Sequence, residues 1–203
     1  MIKAIVFDFG GVLVNLDQAA CIKAFDGIGY PQIREVLDPW HQKGFYSDLE
    51  EGKISPDEFR AIILKDASPD AKPEDVDNCM GALLTGVEPY KADVLNDLSK
   101  KYDLYLLTNN NPISMKRCHD ALEEVGIDWR HVFKDEFISC YMKMLKPSAE
   151  IFNEAVRRIG LPADEIMFID DSQSNVDGAA AVGIRAVFYS PEDDLGEVVE
   201  ANL

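Results

Sequence analysis

The chain has 203 residues, 47% hydrophobic and 28% charged, with no biased tract, which excludes a disordered or fibrous protein and leaves room for one domain or for a core with a smaller insert. Its 20 basic and 37 acidic side chains give a formal net charge of −17, a field that repels polyanions such as nucleic acid and anionic membrane surfaces. The same field repels a phosphorylated ligand, so any phosphate site needs a local cluster of cation, metal ion and backbone N–H groups.

The first element in chain order is the apolar run Ile2–Phe7, stopped by Asp8. It is too short for a signal sequence, and its lack of polar alternation predicts a buried parallel strand. From about Asn15 to Glu88 the pattern is helical, with no strand expected. Ser55-Pro56-Asp57-Glu58 is a capping box with proline at the first helical position, and Phe59, Ile62 and Ile63 supply the apolar face behind it. Pro31, Pro39 and Pro73 cut the rest into short helices. A helical insert leaving the carboxyl edge of a parallel sheet lies where such sheets bind ligands, so residues 15–88 are expected to form a lid over a core of residues 1–14 and 89–203.

The remaining half alternates strands and helices. Leu104–Leu107 reads as a second strand, and the helix after it carries Met115, Cys118, Leu122 and Val125 on one stripe before ending at Gly126. After Pro147, Ile151, Phe152, Ala155, Val156 and Ile159 share a helical face that stops at Gly160. Strand Ile166–Ile169, a helix from about Ser174 to Val182 and strand Ala186–Tyr189 complete the series. Such alternation predicts an α/β fold with a Rossmann-like, doubly wound, mostly parallel sheet. No apolar stretch approaches the ~18 residues of a membrane span. Cys21, Cys79, Cys118 and Cys140 lack metal-ligand spacing and read as buried free thiols. Both features point to a cytoplasmic protein.

Three predicted strands end in groups suited to phosphate chemistry: Asp8, Thr108-Asn109 and Asp170-Asp171. Parallel strands bring all three to one edge, where Lys146, just before the helix at Pro147, adds a cation. Carboxylates gathered at one point repel each other unless a divalent cation sits among them, and hard oxygen ligands suit Mg²⁺.

Asp8-Phe9-Gly10-Gly11-Val12-Leu13, Leu107-Thr108-Asn109, Lys146-Pro147 and Phe168-Ile169-Asp170-Asp171-Ser172 resemble the four ordered motifs of the haloacid dehalogenase superfamily. The resemblance spans the chain and is closer to the subgroup of sugar-1-phosphate phosphatases and the phosphatase-like domain of epoxide hydrolases. It implies a small phosphorylated metabolite as substrate and Asp8 as the nucleophile, forming an aspartyl-phosphate that water hydrolyses. It further implies Mg²⁺ held by Asp8, the Gly10 carbonyl and Asp171, with Asp170 in or near the first shell. Thr108 and the backbone N–H of Asn109 would bind the phosphoryl group, and Lys146 would neutralise charge.

One position departs from the pattern. Two residues after the nucleophile, phosphatases of this superfamily usually carry an aspartate that protonates the leaving oxygen; here it is Gly10. Substrates with easy leaving groups would suffer least from the loss. A degenerate relative that only binds a phosphorylated ligand or a protein partner is one alternative, and a phosphomutase is another. Asn110 and Asn111 read as turn residues before Pro112, and Ser172 as a helix cap. His119 and His131 read as surface or satisfied residues. His41, within the aromatic and polar segment Trp40–Tyr46, is a candidate for substrate selectivity in the lid.

Overall fold

The computed structural model describes residues 1–38 and 42–203, so Pro39, Trp40 and His41 lie outside the described residues. The apolar run after Met1 forms β1 (Ala4–Phe7), every residue of it buried. β2 (Val14–Leu16) then leads into α1 (Gln18–Gly27), a 3₁₀ turn at Pro31–Glu35, α2 (Gly44–Glu50), α3 (Pro56–Leu64) and α4 (Pro73–Gly81). The capping box starts α3 as expected: the Ser55 hydroxyl accepts from the Glu58 N–H and the Glu58 carboxylate accepts from the Ser55 N–H. β3 (Leu84–Val87) returns antiparallel to β2. These two strands overturn the expectation of a purely helical stretch. Each is short, and β3 holds Gly86 at φ +120°, so neither presents a run that sequence periodicity detects.

The chain continues through α5 (Tyr90–Ser99), β4 (Asp103–Thr108), α6 (Pro112–Glu124), α7 (Trp129–Val132), β5 (Phe133–Ile138) and α8 (Ser139–Met142). It ends with α9 (Ala149–Ile159), β6 (Ile166–Asp170), α10 (Gln173–Ala181), β7 (Arg185–Phe188) and α11 (Leu195–Ala201). The five-stranded sheet has order β5-β4-β1-β6-β7, and every pairing in it is parallel. β5 was not expected. As an edge strand it exposes Lys134 and Asp135, which breaks the apolar run that marks the inner strands.

Alternate residues of the strands feed two apolar layers. Ile5, Phe7, Leu104, Leu106, Met167 and Ile169 pack with α5, α6 and α11, whereas Ala4, Val6, Leu107, Ile166 and Phe168 pack with α9 and α10. Helices α1–α4 close around a third cluster of their own, centred on Phe25, Tyr46, Phe59 and Met80. The winding leaves β1 between β4 and β6, where the chain reverses its direction of travel across the sheet. Such a switch point opens a crevice at the carboxyl ends of the strands. Among the described residues, no helix is long and apolar enough to cross a membrane.

Candidate active site

Register places the site. Phe7 pairs with Leu106 on one side and Ile169 on the other, so Asp8 emerges level with Asp170 and one residue short of Thr108. A cavity of about 440 Å³ opens there, lined on the sheet side by Asp8, Gly10, Thr108, Asn109, Lys146 and Asp171. Gln42, Tyr46, Ser47 and Glu50 line it from the helical side.

Lys146 organises the carboxylates. Its ammonium is buried and lies 2.9 Å from Asp8 Oδ1 and 2.6 Å from Asp170 Oδ2. Asn109 pins the backbone of this lysine: its Nδ2 donates to the Lys146 carbonyl at 2.9 Å and its Oδ1 accepts the Lys146 N–H at 2.8 Å. The asparagine side chain is therefore occupied in holding the cation, a part that reading the motif did not disclose. Asp170 is saturated as well, accepting from Lys146, the Ser172 N–H at 2.8 Å and Asn175 Nδ2 at 2.9 Å. It anchors the lysine. Asp171 differs, because among the described residues no side-chain hydrogen bond or ion pair satisfies its carboxylate, which has only its own backbone N–H, and it presses against Gly11. A Cβ at Gly11 would stand 2.0 Å from Asp171 Oδ2, and the φ of +77° independently calls for glycine.

Oxygens of Asp8, Asp170 and Asp171 all lie within 4.8 Å of one another. Burial pushes Asp8 up to about 6; Lys146 opposes the shift and Asp170 adds to it. Burial, Asp8 and Asp170 together push Asp171 up to about 7, with Lys146 opposing. Around Lys146, burial works against the charge, yet Asp170 and Asp8 outweigh it and raise the lysine above its ordinary value. One ammonium cannot neutralise three crowded carboxyls, so the donor set suits a hard divalent cation. On Asp8, Oδ1 takes the Phe9 N–H at 2.7 Å and Lys146, which leaves Oδ2 free of donors among the described residues.

All seven residues singled out in the sequence, Asp8, Gly10, Thr108, Asn109, Lys146, Asp170 and Asp171, stand in this region. Asn111 caps α6 through Oδ1, accepting from the N–H groups of Ile113 and Ser114, while its Nδ2 has no partner among the described residues and lies beside the cavity. Ser172 occupies the N-cap position of α10, but its hydroxyl meets Ser174 Oγ at 3.0 Å and makes no cap bond. His119 binds Glu136 at 2.8 Å and stacks on Trp129, and His131 meets Asp128; neither belongs to the site. The reading of His41 falls outside the described residues.

Sequence reasoning missed Glu50, Asn175 and Ser139. Glu50 carried a signal: it shares a helical face with Tyr46 and Leu49, both core residues. An acid in a buried register was legible at spacings of one and four.

Residues 2–183 match the haloacid dehalogenase-like hydrolase family. The chain is 32% identical to the D-ribitol-5-phosphate phosphatase of Bacteroides thetaiotaomicron, over 95% of this chain and 93% of that protein. It is 27% identical to a sesquiterpene phosphatase of Aspergillus oryzae, over 98% and 94% of the two chains. A crystal structure of a haloacid dehalogenase family enzyme of B. thetaiotaomicron, in complex with magnesium and inorganic phosphate, superposes with a TM-score of 0.90 at 33% identity, covering 98% of this chain and 99% of that one. The L-2-haloacid dehalogenase of Xanthobacter autotrophicus shares the fold, with a TM-score of 0.66 at 20% identity over 99% and 82% of the chains. The ordered motifs, the parallel sheet that gathers them and the match along most of the length agree: the chain belongs to the haloacid dehalogenase-like hydrolases.

Proposed function

We propose that the protein is a Mg²⁺-dependent phosphatase of a small phosphorylated metabolite, a sugar or polyol phosphate, working through an aspartyl-phosphate on Asp8. The observation that carries this reading is the buried Asp8–Lys146–Asp170 chain beside Asp171, which has no ion pair among the described residues. It supplies a nucleophile with one free oxygen, a fixed cation and a place for a metal. The structural relative bound to magnesium and phosphate supports the same cofactor and ligand here.

Asp8, the Gly10 carbonyl and Asp171 would hold Mg²⁺, with Asp170 behind them. When bound, the ion neutralises phosphoryl charge, as phosphoryl transfer requires. Thr108, buried at the end of β4, and the Asn109 N–H would bind the phosphoryl group, both residues lining the cavity. Lys146, kept charged by two carboxylates, holds Asp8 in position and offsets charge in the transition state. Helices α1–α4, within residues 15–88, act as a cap that keeps bulk water from the intermediate.

A hydroxyl-rich leaving group suits the wall facing the phosphate. Asn111 Nδ2 and Ser114 Oγ are buried polar atoms without hydrogen-bond partners among the described residues, and both residues line the cavity. Such orphans are satisfied when a polar ligand arrives. The relative acting on ribitol 5-phosphate supports the same chemical class. A panel of phosphorylated metabolites assayed with Mg²⁺, with EDTA and with Asp8→Asn tests the proposal. Metal-dependent release of phosphate, strongest on sugar and polyol phosphates and lost in the variant, is expected. Binding of phosphorylated ligands without turnover across the panel would favour the degenerate alternative.

A further inference from the structure

Among the described residues, Glu50 is the one carboxyl that the helical layer contributes to the cavity. Tyr46 and Leu49 of α2 are drawn into the apolar cluster of that layer, where Tyr46 meets Phe59 edge-on at 5.6 Å. Glu50 shares their helical face and goes under with them, only 9% exposed. Its carboxyl has no hydrogen bond or ion pair among the described residues. Removing an unpaired carboxylate from water costs several kcal/mol, which favours the neutral acid. Burial drives its pKa well above the usual carboxylate range; Asp8 adds to the shift and Lys146 opposes it.

The backbone behind this carboxyl is locked to the catalytic core. Ser139 Oγ donates to the Glu50 carbonyl at 2.5 Å and accepts the N–H of Asn110 at 2.9 Å, two residues beyond Thr108. Gly52, at φ +66°, lies so close to α8 that a Cβ would stand 2.2 Å from the Cys140 carbonyl, and Lys143 donates to the Gly52 carbonyl. The end of α2 thus has a fixed position relative to Asp8. The groups that sense the Glu50 charge are Asp8 from β1, Lys146 before α9, Cys140 from α8 and Tyr46 on α2 itself. On the other side, the position two residues past the nucleophile carries no side chain: Gly10 presents only backbone there, against the exposed Leu16 side chain.

We propose that Glu50 is the proton-transfer residue of this phosphatase, taking from the helical layer the task that Gly10 cannot perform. As the Asp8 Oδ–P bond forms and the ester P–O bond breaks, the Glu50 carboxylic acid gives its proton to the departing oxygen. The resulting carboxylate then takes a proton from the water that attacks the aspartyl-phosphate, which releases inorganic phosphate and Asp8 and restores the acid. With the donor on the opposite wall, an ordinary alkyl alcohol becomes a competent leaving group.

The inference rests on the phosphatase reading, and turnover of 4-nitrophenyl phosphate that Asp8→Asn abolishes establishes that reading independently of Glu50. The test compares kcat/KM, which reports steps through transfer to Asp8, for D-ribitol 5-phosphate and 4-nitrophenyl phosphate, whose aryl oxide leaves without a proton. Glu50→Gln, a neutral isostere of the buried acid, is expected to lower the alkyl value by about 10²-fold or more while leaving the aryl value within about threefold. Glu50→Asp, which keeps the acid but shortens its reach, should fall between. The alkaline limb of the alkyl pH profile should disappear in Glu50→Gln. Equal losses on both esters, or an unchanged alkyl value, would overturn the assignment.

Discussion

At Gly11 two requirements meet that have different origins. The turn after β1 needs a positive φ, and the Asp171 carboxylate fills the space a side chain would take. Alanine there carries about 1–2 kcal/mol of left-handed strain and displaces Asp171 as well. Gly11→Ala is therefore expected to weaken Mg²⁺ about 10–100-fold, measured by titration calorimetry. Gly81→Ala, where a Cβ meets nothing within 4 Å, should leave it unchanged. Equal metal affinity in both variants would show that Asp171 is not a ligand. Asp8, Lys146 and Asp171 were legible in the sequence because each follows a strand or precedes a helix whose place in a parallel sheet is fixed by topology. The partners that orient them were not: Asn175 reaches Asp170 from one turn into α10, and the Asn109 clamp depends on how the Lys146 backbone approaches β4.

Among the elements, the inner strands announced themselves by uninterrupted apolar runs, since both of their faces are buried. β5 did not, because an edge strand tolerates Lys134 and Asp135 in solvent, and β2 and β3 are too short to show a period. Ser139, at the start of α8, was invisible for another reason: a single hydroxyl joins α2 to the end of β4, a contact between residues 89 apart in sequence. Ser139→Ala leaves the Glu50 carbonyl and the Asn110 N–H without this partner, which should cost about 1–3 kcal/mol. Denaturant unfolding is expected to show that loss, together with reduced turnover of the alkyl ester, because both α2 and the strand end bearing Thr108 relax. A fall in stability with activity unchanged would mean that the site does not depend on how α2 is docked.

For the whole molecule, charge and metal are coupled. Asp8 at about 6 and Asp171 at about 7 in the folded protein both stand above the ~3.9 of an unfolded aspartate. Between about pH 4 and pH 7 the folded state therefore binds more protons than the unfolded one, and the stability of the metal-free protein falls as pH rises through that window, a fall that the raised Glu50 carboxyl extends. Mg²⁺ binds the ionised carboxylates, so it should raise the melting temperature more at about pH 8 than at about pH 5. An equal shift at both values would place the ion elsewhere. With a net charge of −17, the proposed function needs a local cluster of Lys146, metal and backbone N–H groups for an acidic protein to receive a phosphate.

The central claim is covalent: phosphate passes through Asp8. Rapid acid quench during turnover with Mg²⁺, followed by mass spectrometry of the peptide containing Asp8, measures it directly. A phosphoryl group on Asp8 that appears with Mg²⁺ and is absent with EDTA is the predicted result. Undiminished phosphate release by Asp8→Asn, with no modified peptide in the wild type, would contradict it.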